Sequence, residues 1–234
     1  VLRSLSPERT RLVHGRLARA LLDVGGADPV ALARHYDGAG DAARALHAYR
    51  RAAERAMDAL GFAHAASLYR RAITLEGEMS ADAVLRSELN VMLGHALSRA
   101  GRTVEAARAY LEAHACSPRD DQTHLVVWAA QHFLMGAAFT EGLSLATSLL
   151  DGLGLALPKN QGGALRRWMW DSLMSKLWGM PAQAPRRALE ESERMRLEAT
   201  WNLALPLAWM DPLRGSRLSH AHLHMALASG DPAH

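Results

Sequence analysis

Cysteine is almost missing from this chain. Cys116 stands alone among 234 residues, which excludes an internal disulfide framework and leaves a cysteine-based zinc site without its ligands. Lysine is nearly as scarce: Lys159 and Lys176 are its only instances, so the basic character rests on arginine. Aromatic residues make up only 6% of the chain. No uninterrupted apolar run approaches the roughly 20 residues of a membrane-spanning helix, so no membrane partner is expected. Arg3, Glu8, Arg9 and Arg11 break up any signal-peptide core at the start. The phosphate-binding G-x-x-x-x-G-K-[ST] loop and the kinase signatures H-R-D and D-F-G do not occur. Valine and isoleucine are sparse and period-two alternation never persists, which removes the usual strand signals.

What remains is the composition of a globular protein with a sizeable core: 49% hydrophobic, 22% charged, 27 basic against 24 acidic side chains. The expected location is the cytoplasm. The opening at Val1 and the run Ser229-Gly230-Asp231-Pro232, which reads as one helix ending and another beginning, suggest a segment of a longer protein. Ala, Leu, Arg and Glu dominate amphipathic stretches with helix start and stop signals. Ser6-Pro7 opens the first and Gly25-Gly26 ends it; Asp28-Pro29 opens the second, which ends near Gly38–Gly40. Residues 41–59 and 62–76 follow, and Ser80 is the expected N-cap of a helix that Gly101 stops. Further helices are expected at 103–115, 120–135, 139–151, 164–178, 186–210 and 212–229, with Pro206 kinking or splitting the penultimate one. The fold class this implies is all-α, with antiparallel helix pairs. Residues 1–26 form a linking helix, 28–157 the repeats proper, and 158–234 a continuing helical region.

The repeat shows in the tyrosines. Tyr49, Tyr69 and Tyr110 each sit in one pattern, Ala45-Tyr49-Ala52, Ala65-Tyr69-Ala72 and Ala106-Tyr110-Ala113. Offsets of four and three put each triplet on one helix face, where small alanines admit a neighbouring helix and the ring fills the gap. Upstream of Tyr110 the pattern lengthens to Leu93-Gly94-x-x-Leu97, then Gly101, and it runs on to Pro118. Leu32-Ala33-x-x-Tyr36 and Gly40 repeat that order before Tyr49, and a looser echo follows at Trp128-Ala129, Gly142 and Ala146. This is similar to the tetratricopeptide repeat, a helix–turn–helix unit, with Leu97 in place of its first aromatic and Asn90 in place of its tryptophan. Only a short interval separates Tyr49 from Tyr69, so helix 41–59 is expected to serve as second helix of one pair and first of the next. The expected architecture is a right-handed α-solenoid; an ordinary helical bundle with chance alignments is the alternative.

Two longer stretches resemble something more specific. His14-Gly15-Arg16-Leu17-Ala18-Arg19-Ala20-Leu21, then Ala27-Asp28-Pro29-x-Ala31-Leu32-Ala33-Arg34-His35-Tyr36, then Ala39-Gly40-Asp41, resembles the start of the helical region of STAND-type signalling ATPases. The same run resembles the region of the AAA-type module that follows some bacterial serine/threonine kinase domains. Trp201-x7-Trp209-Met210-Asp211-Pro212-x-Arg214-Gly215, with the run from His222 to Pro232, resembles the middle of that region. The resemblance implies a non-catalytic sensor or scaffold arm, whose partners are a protein or peptide and neighbouring domains of the same chain. A helical arm of an ATPase-linked transcriptional regulator is the alternative it allows.

No candidate chemistry competes well. Gly152-Leu153-Gly154 lacks the third glycine and the strand of a phosphate loop. His220 and His224 share a helix face without a third ligand nearby, and His222 points to packing. Cys116 and His114 are too close in sequence to face one another. Glu190, Glu191 and Glu193 lie among arginines and read as a solvated face with pairs such as Glu190–Arg194. The arginine pairs 50–51, 70–71, 166–167 and 186–187 are interspersed with acids, which argues against a nucleic-acid stripe. No catalytic residue, cofactor or metal ligand is assigned. Trp168, Met169, Trp170, Leu173, Leu177 and Trp178 read as a buried helix, with a docking face as the alternative. His35, Glu88, His95 and Arg99 are the expected groove residues on the first helices of the repeats.

Overall fold

A computed structural model describes residues 6–79, 82–116, 122–158, 160–178 and 187–230. The expected roles of Ser80, Pro118, Arg186, Asp231 and Pro232, and the side chain of Trp178, lie outside the described residues. The described residues are all-α, in eleven helices: α1 (Pro7–Val24), α2 (Pro29–Ala39), α3 (Ala42–Asp58), α4 (Phe62–Met79), α5 (Ala83–Arg99), α6 (Thr103–Cys116), α7 (Thr123–Met135), α8 (Phe139–Gly152), α9 (Gln161–Trp178), α10 (Glu191–Met210) and α11 (Pro212–Ser229). They gather in two compact units, Val1–Pro118 and Arg119–His234. In the first unit each helix packs on the next from α1 to α6. In the second, α7 packs on α8 and α10, and α9 and α10 both pack on α11. This is the solenoid-like succession of helix pairs.

Carboxylates and prolines start most of these helices. Asp28 accepts from the N–H groups of Val30 and Ala31 ahead of Pro29, Asp41 from Arg44, and Asp211 from Arg214. For α5 the cap is Asp82, which accepts from Val84 and Leu85. α10 runs through Pro206 without interruption, so of the two expected outcomes, a kink or a split, the split does not occur.

One turn recurs between helices. The N–H of Gly40 donates to the Asp37 carbonyl and the N–H of Asp41 to that of Tyr36, both at 3.0 Å. Leu60–Gly61, Gly101–Arg102 and Ala137–Ala138 make the same two bonds after α3, α5 and α7. This is the Schellman closure, whose first residue takes left-handed backbone. Gly40 and Gly101 do so freely at φ 79° and 76°, whereas Leu60 and Ala137 are held at φ 59° and 61° against the preference of a side chain. The closing residue then caps the next helix: the carbonyls of Asp41, Gly61, Arg102 and Ala138 accept from Ala45, Ala65, Ala106 and Gly142. The first alanine of each tyrosine triplet thus sits in an equivalent first turn, and Gly142 occupies that place in α8.

Tyr49, Tyr69 and Tyr110 are buried with both alanines of every triplet. Ala33, Ala53 and Gly94 stand at the same sequence distance ahead of them, one on each preceding helix, and all are buried. At Gly94 the reason is explicit, because a Cβ there would come within 2.5 Å of Tyr110 Cε1. α3 packs on both α2 and α4, the double service expected from the short Tyr49–Tyr69 interval.

The second unit is built around Val127, Leu134, Leu150, Leu203, Leu207 and Leu218. Where α10 meets α11, Gly215 approaches Ala208 so closely that a Cβ would lie 2.3 Å from the backbone. α9 departs from its expected burial. Trp168, Met169, Trp170, Leu173 and Leu177 are exposed. The face α9 turns inward carries Ala164 and Asp171, the latter held by Arg167 at 3.1 Å and Arg217 at 3.5 Å. A carboxylate needs those arginines to be buried at all, and satisfying it rotates the tryptophans outward.

Replacing Tyr110 by alanine is expected to cost about 3–5 kcal/mol in denaturant unfolding, the usual penalty for deleting a core ring. Gly94→Ala should cost about 1–3 kcal/mol by overpacking, and the two effects should be strongly non-additive because both act on one contact.

Candidate functional site

The arginines that follow the repeat tyrosines link helices two apart in the chain. Arg50 on α3 reaches Glu88 on α5 at 3.7 Å, and Arg70 on α4 reaches Glu105 on α6 at 2.6 Å. Arg71 turns the other way. It grips Asp37 on α2 with two hydrogen bonds, Nε to Oδ2 at 2.7 Å and Nη2 to Oδ1 at 2.6 Å. The Tyr49 hydroxyl donates to the same carboxylate at 3.1 Å. The Arg71 guanidinium holds the Asp37 carboxyl below its ordinary range.

The four expected groove residues do not gather in one place. His35 on α2 meets His14 on α1, Nδ1 to Nδ1 at 2.9 Å. Glu88 is spent on Arg50. His95 meets the Tyr110 hydroxyl at 3.0 Å, where burial pushes the phenol up to about 12. Arg99 lies over the Phe62 ring on α4 at 5.9 Å. Each reaches another helix, and His35 lies on α2, which is not among the main packing partners of α5, the helix that carries the other three.

A different surface assembles instead. α1, α2 and α3 enclose a cleft of about 550 Å³. Its apolar lining includes Leu21 and Leu22 of α1, Leu32 and Tyr36 of α2, and Ala48 of α3. Arg44, His47, Arg51 and Arg55 form its rim, and no acidic side chain lines it. Their spacing along α3 places them on one flank of the helix. Arg50 and Glu54, paired at 3.2 Å, lie on the adjoining flank. Arg44 is shared with Asp41 at 3.4 Å and lies over the Tyr36 ring at 5.8 Å. Arg51 and Arg55 are exposed, and no ion pair involves either among the described residues. Arg51 occupies the place that Arg71 occupies, two residues past a repeat tyrosine. The backward reach that brings Arg71 to Asp37 would bring Arg51 to α1, where the cleft presents leucines. The cleft presents no carboxylate there, and a free guanidinium is left beside an apolar trough.

The other expected clusters settle into structural places. His220 and His224 pack ring to ring at 4.3 Å, and the described residues contain no group of three or more His, Cys, Asp or Glu placed to hold a metal ion. His222 is buried against Thr200, in the packing role that the resemblance implied. Glu193 pairs with Arg187 at 2.6 Å and accepts from the Glu190 N–H, while Arg194 lies nearest Glu191 at 3.9 Å. These contacts replace the expected Glu190–Arg194 pair. No helix among the described residues is long and apolar enough to cross a membrane.

No family model and no curated protein matches this chain. Among solved structures, the crystal structure of BtubC (BKLC) from P. vanneervenii is similar at 16% identity and a TM-score of 0.35, over 98% of this chain and 90% of that one.

Burial of His35, beside His14, makes the first unit acid-sensitive. Burial, and then the His14 ring, lower His35 below its ordinary 6.5. The folded state therefore binds that proton less readily than the unfolded chain, and stability declines as the pH falls below about 6.5. Melting temperatures measured across that range should fall more steeply for the wild type than for His35→Asn.

Proposed function

We propose that this chain is a non-catalytic interaction and sensor arm, a tetratricopeptide-like repeat segment of a larger signalling ATPase or kinase-linked protein. Its α1–α3 cleft takes an acidic peptide segment of a protein partner. The observation that supports the reading is the pairing of Arg51 and Arg55, free of carboxylates, with an apolar trough whose lining contains no acid. Aliphatic side chains of the peptide bury against Leu21, Leu32 and Tyr36 and supply most of the affinity. Its carboxylates meet the rim, where exposed ion pairs add little affinity but fix orientation and speed encounter. The groove has no nucleophile–base pair and no metal-ligand set to act on what it holds. The attachment to signalling proteins rests on the resemblance of the runs around His14–Asp41 and Trp201–Gly215.

The test uses a fluorescein-labelled peptide that alternates glutamate with leucine at helical spacing, read by anisotropy. Binding should weaken as salt rises and fall by about tenfold or more in the double variant Arg51→Glu, Arg55→Glu. The variant's melting temperature should hold, because neither side chain is committed in the fold. Equal binding by the double variant, or tighter binding of a single-stranded oligonucleotide than of the peptide, would refute the assignment.

A further inference from the structure

The second unit carries a cleft of its own, between α7, α10 and α11, with a volume of about 680 Å³. That lies within the range of sites for drug-sized molecules. Its character is opposite to that of the first cleft, because no Asp, Glu, Lys or Arg lines it. Trp201, Leu205 and Trp209 stand one helical turn apart on α10 and form one wall, at 64%, 63% and 83% exposure. Met135 and Phe139 belong to the same lining. Thr200 and His222 also line it although both are more than nine-tenths buried. The Thr200 hydroxyl lies 3.0 Å from His222 Nδ1, and the His222 ring is tilted against Trp201 with centroids 5.3 Å apart. Pro206 adds a further polar feature. It has no N–H, so the carbonyl of Asn202 one turn earlier lacks its usual helical donor, and both residues line the cleft.

We propose that this cleft binds an uncharged, mainly apolar small molecule bearing a hydroxyl. The two tryptophans and their aliphatic neighbours enclose its hydrocarbon body, and the hydroxyl donates to the Asn202 carbonyl. A charged head is disfavoured, since no side chain of opposite charge is at hand and an unpaired ion leaving water pays its full desolvation cost. Three large exposed apolar side chains in one row on α10 are otherwise unexplained by packing, and large exposed apolar patches mark binding sites. The proposal is independent of the acidic-peptide reading, which concerns the other unit.

The test is fluorescence titration of the whole chain with N-phenylnaphthylamine, an uncharged apolar dye that brightens out of water. Saturable enhancement with one site per chain is expected, with displacement by dodecanol at least about tenfold stronger than by dodecanoate. Leu205→Asp, on a largely exposed wall position, should remove the enhancement while circular dichroism and melting temperature hold. Leu165→Asp, on the exposed face of α9, should leave it intact. Four results would each overturn the proposal: no saturable enhancement, equal displacement by the alcohol and the carboxylate, undiminished binding by Leu205→Asp, or self-association in light scattering that Leu205→Asp abolishes, which would mean that a second copy covers the wall.

Discussion

A phenol ring seated against a residue with little or no side chain sets the spacing of the first unit. Tyr110 lies so near Gly94 that no Cβ fits between them, and Tyr49 and Tyr69 are buried at the same remove from Ala33 and Ala53. The ring supplies the apolar area that alanine-rich helices otherwise lack. The small residue opposite lets the backbones approach, and close packing of that kind tolerates little change in volume. The Schellman turns between helices follow from it. With the helix faces so defined, the chain must reverse in the fewest residues that bring the next alanine into the first turn.

Once the helices are spaced this way, the long arginine side chains can span from one helix to the second next. Adjacent arginines then meet contrasting surroundings. Arg50 and Arg70 point forward along the chain to glutamates, and Arg71 points back to an aspartate. Arg51 has the same placement as Arg71 but faces the first helix of the unit, where the corresponding surface is leucine. The cleft proposed as a peptide site thus lies where the backward reach of an arginine meets leucines of α1. Two of its arginines, Arg51 and Arg55, take part in no ion pair among the described residues, and its floor is apolar.

Much of this was legible in the sequence, because it depends on short-range spacing. The triplets, the turn glycines at Gly40 and Gly101, and the Asp-Pro starts at Asp28 and Asp211 are local signals, and each forms the feature its spacing implied. The double role of α3 followed from the interval between two tyrosines. What was not legible depends on partners distant in the chain. Nothing local separates Arg51 from Arg71; only the residue two helices back does. The groove residues on α2 and α5 were placed on suitable helices, yet each was claimed by a neighbour: His35 by His14, Glu88 by Arg50, His95 by Tyr110 and Arg99 by Phe62. The tryptophans of α9 carry the composition of a core helix, and their exposure is decided by Asp171, which needs Arg217 from α11. The row of basic residues Arg44, His47, Arg51 and Arg55 was present in the sequence as a helical stripe, but its significance required seeing what lies beside it.

The two-helix reach of the arginine bridges bears on how small a working piece of this repeat can be. A hairpin of two helices can close its turn and bury its ring, but it cannot complete an Arg71–Asp37 or Arg70–Glu105 bridge, because each needs a third helix in place. Cooperativity in the first unit therefore extends over overlapping triads, so that a boundary drawn after any single pair would sever bridges on both sides of the cut.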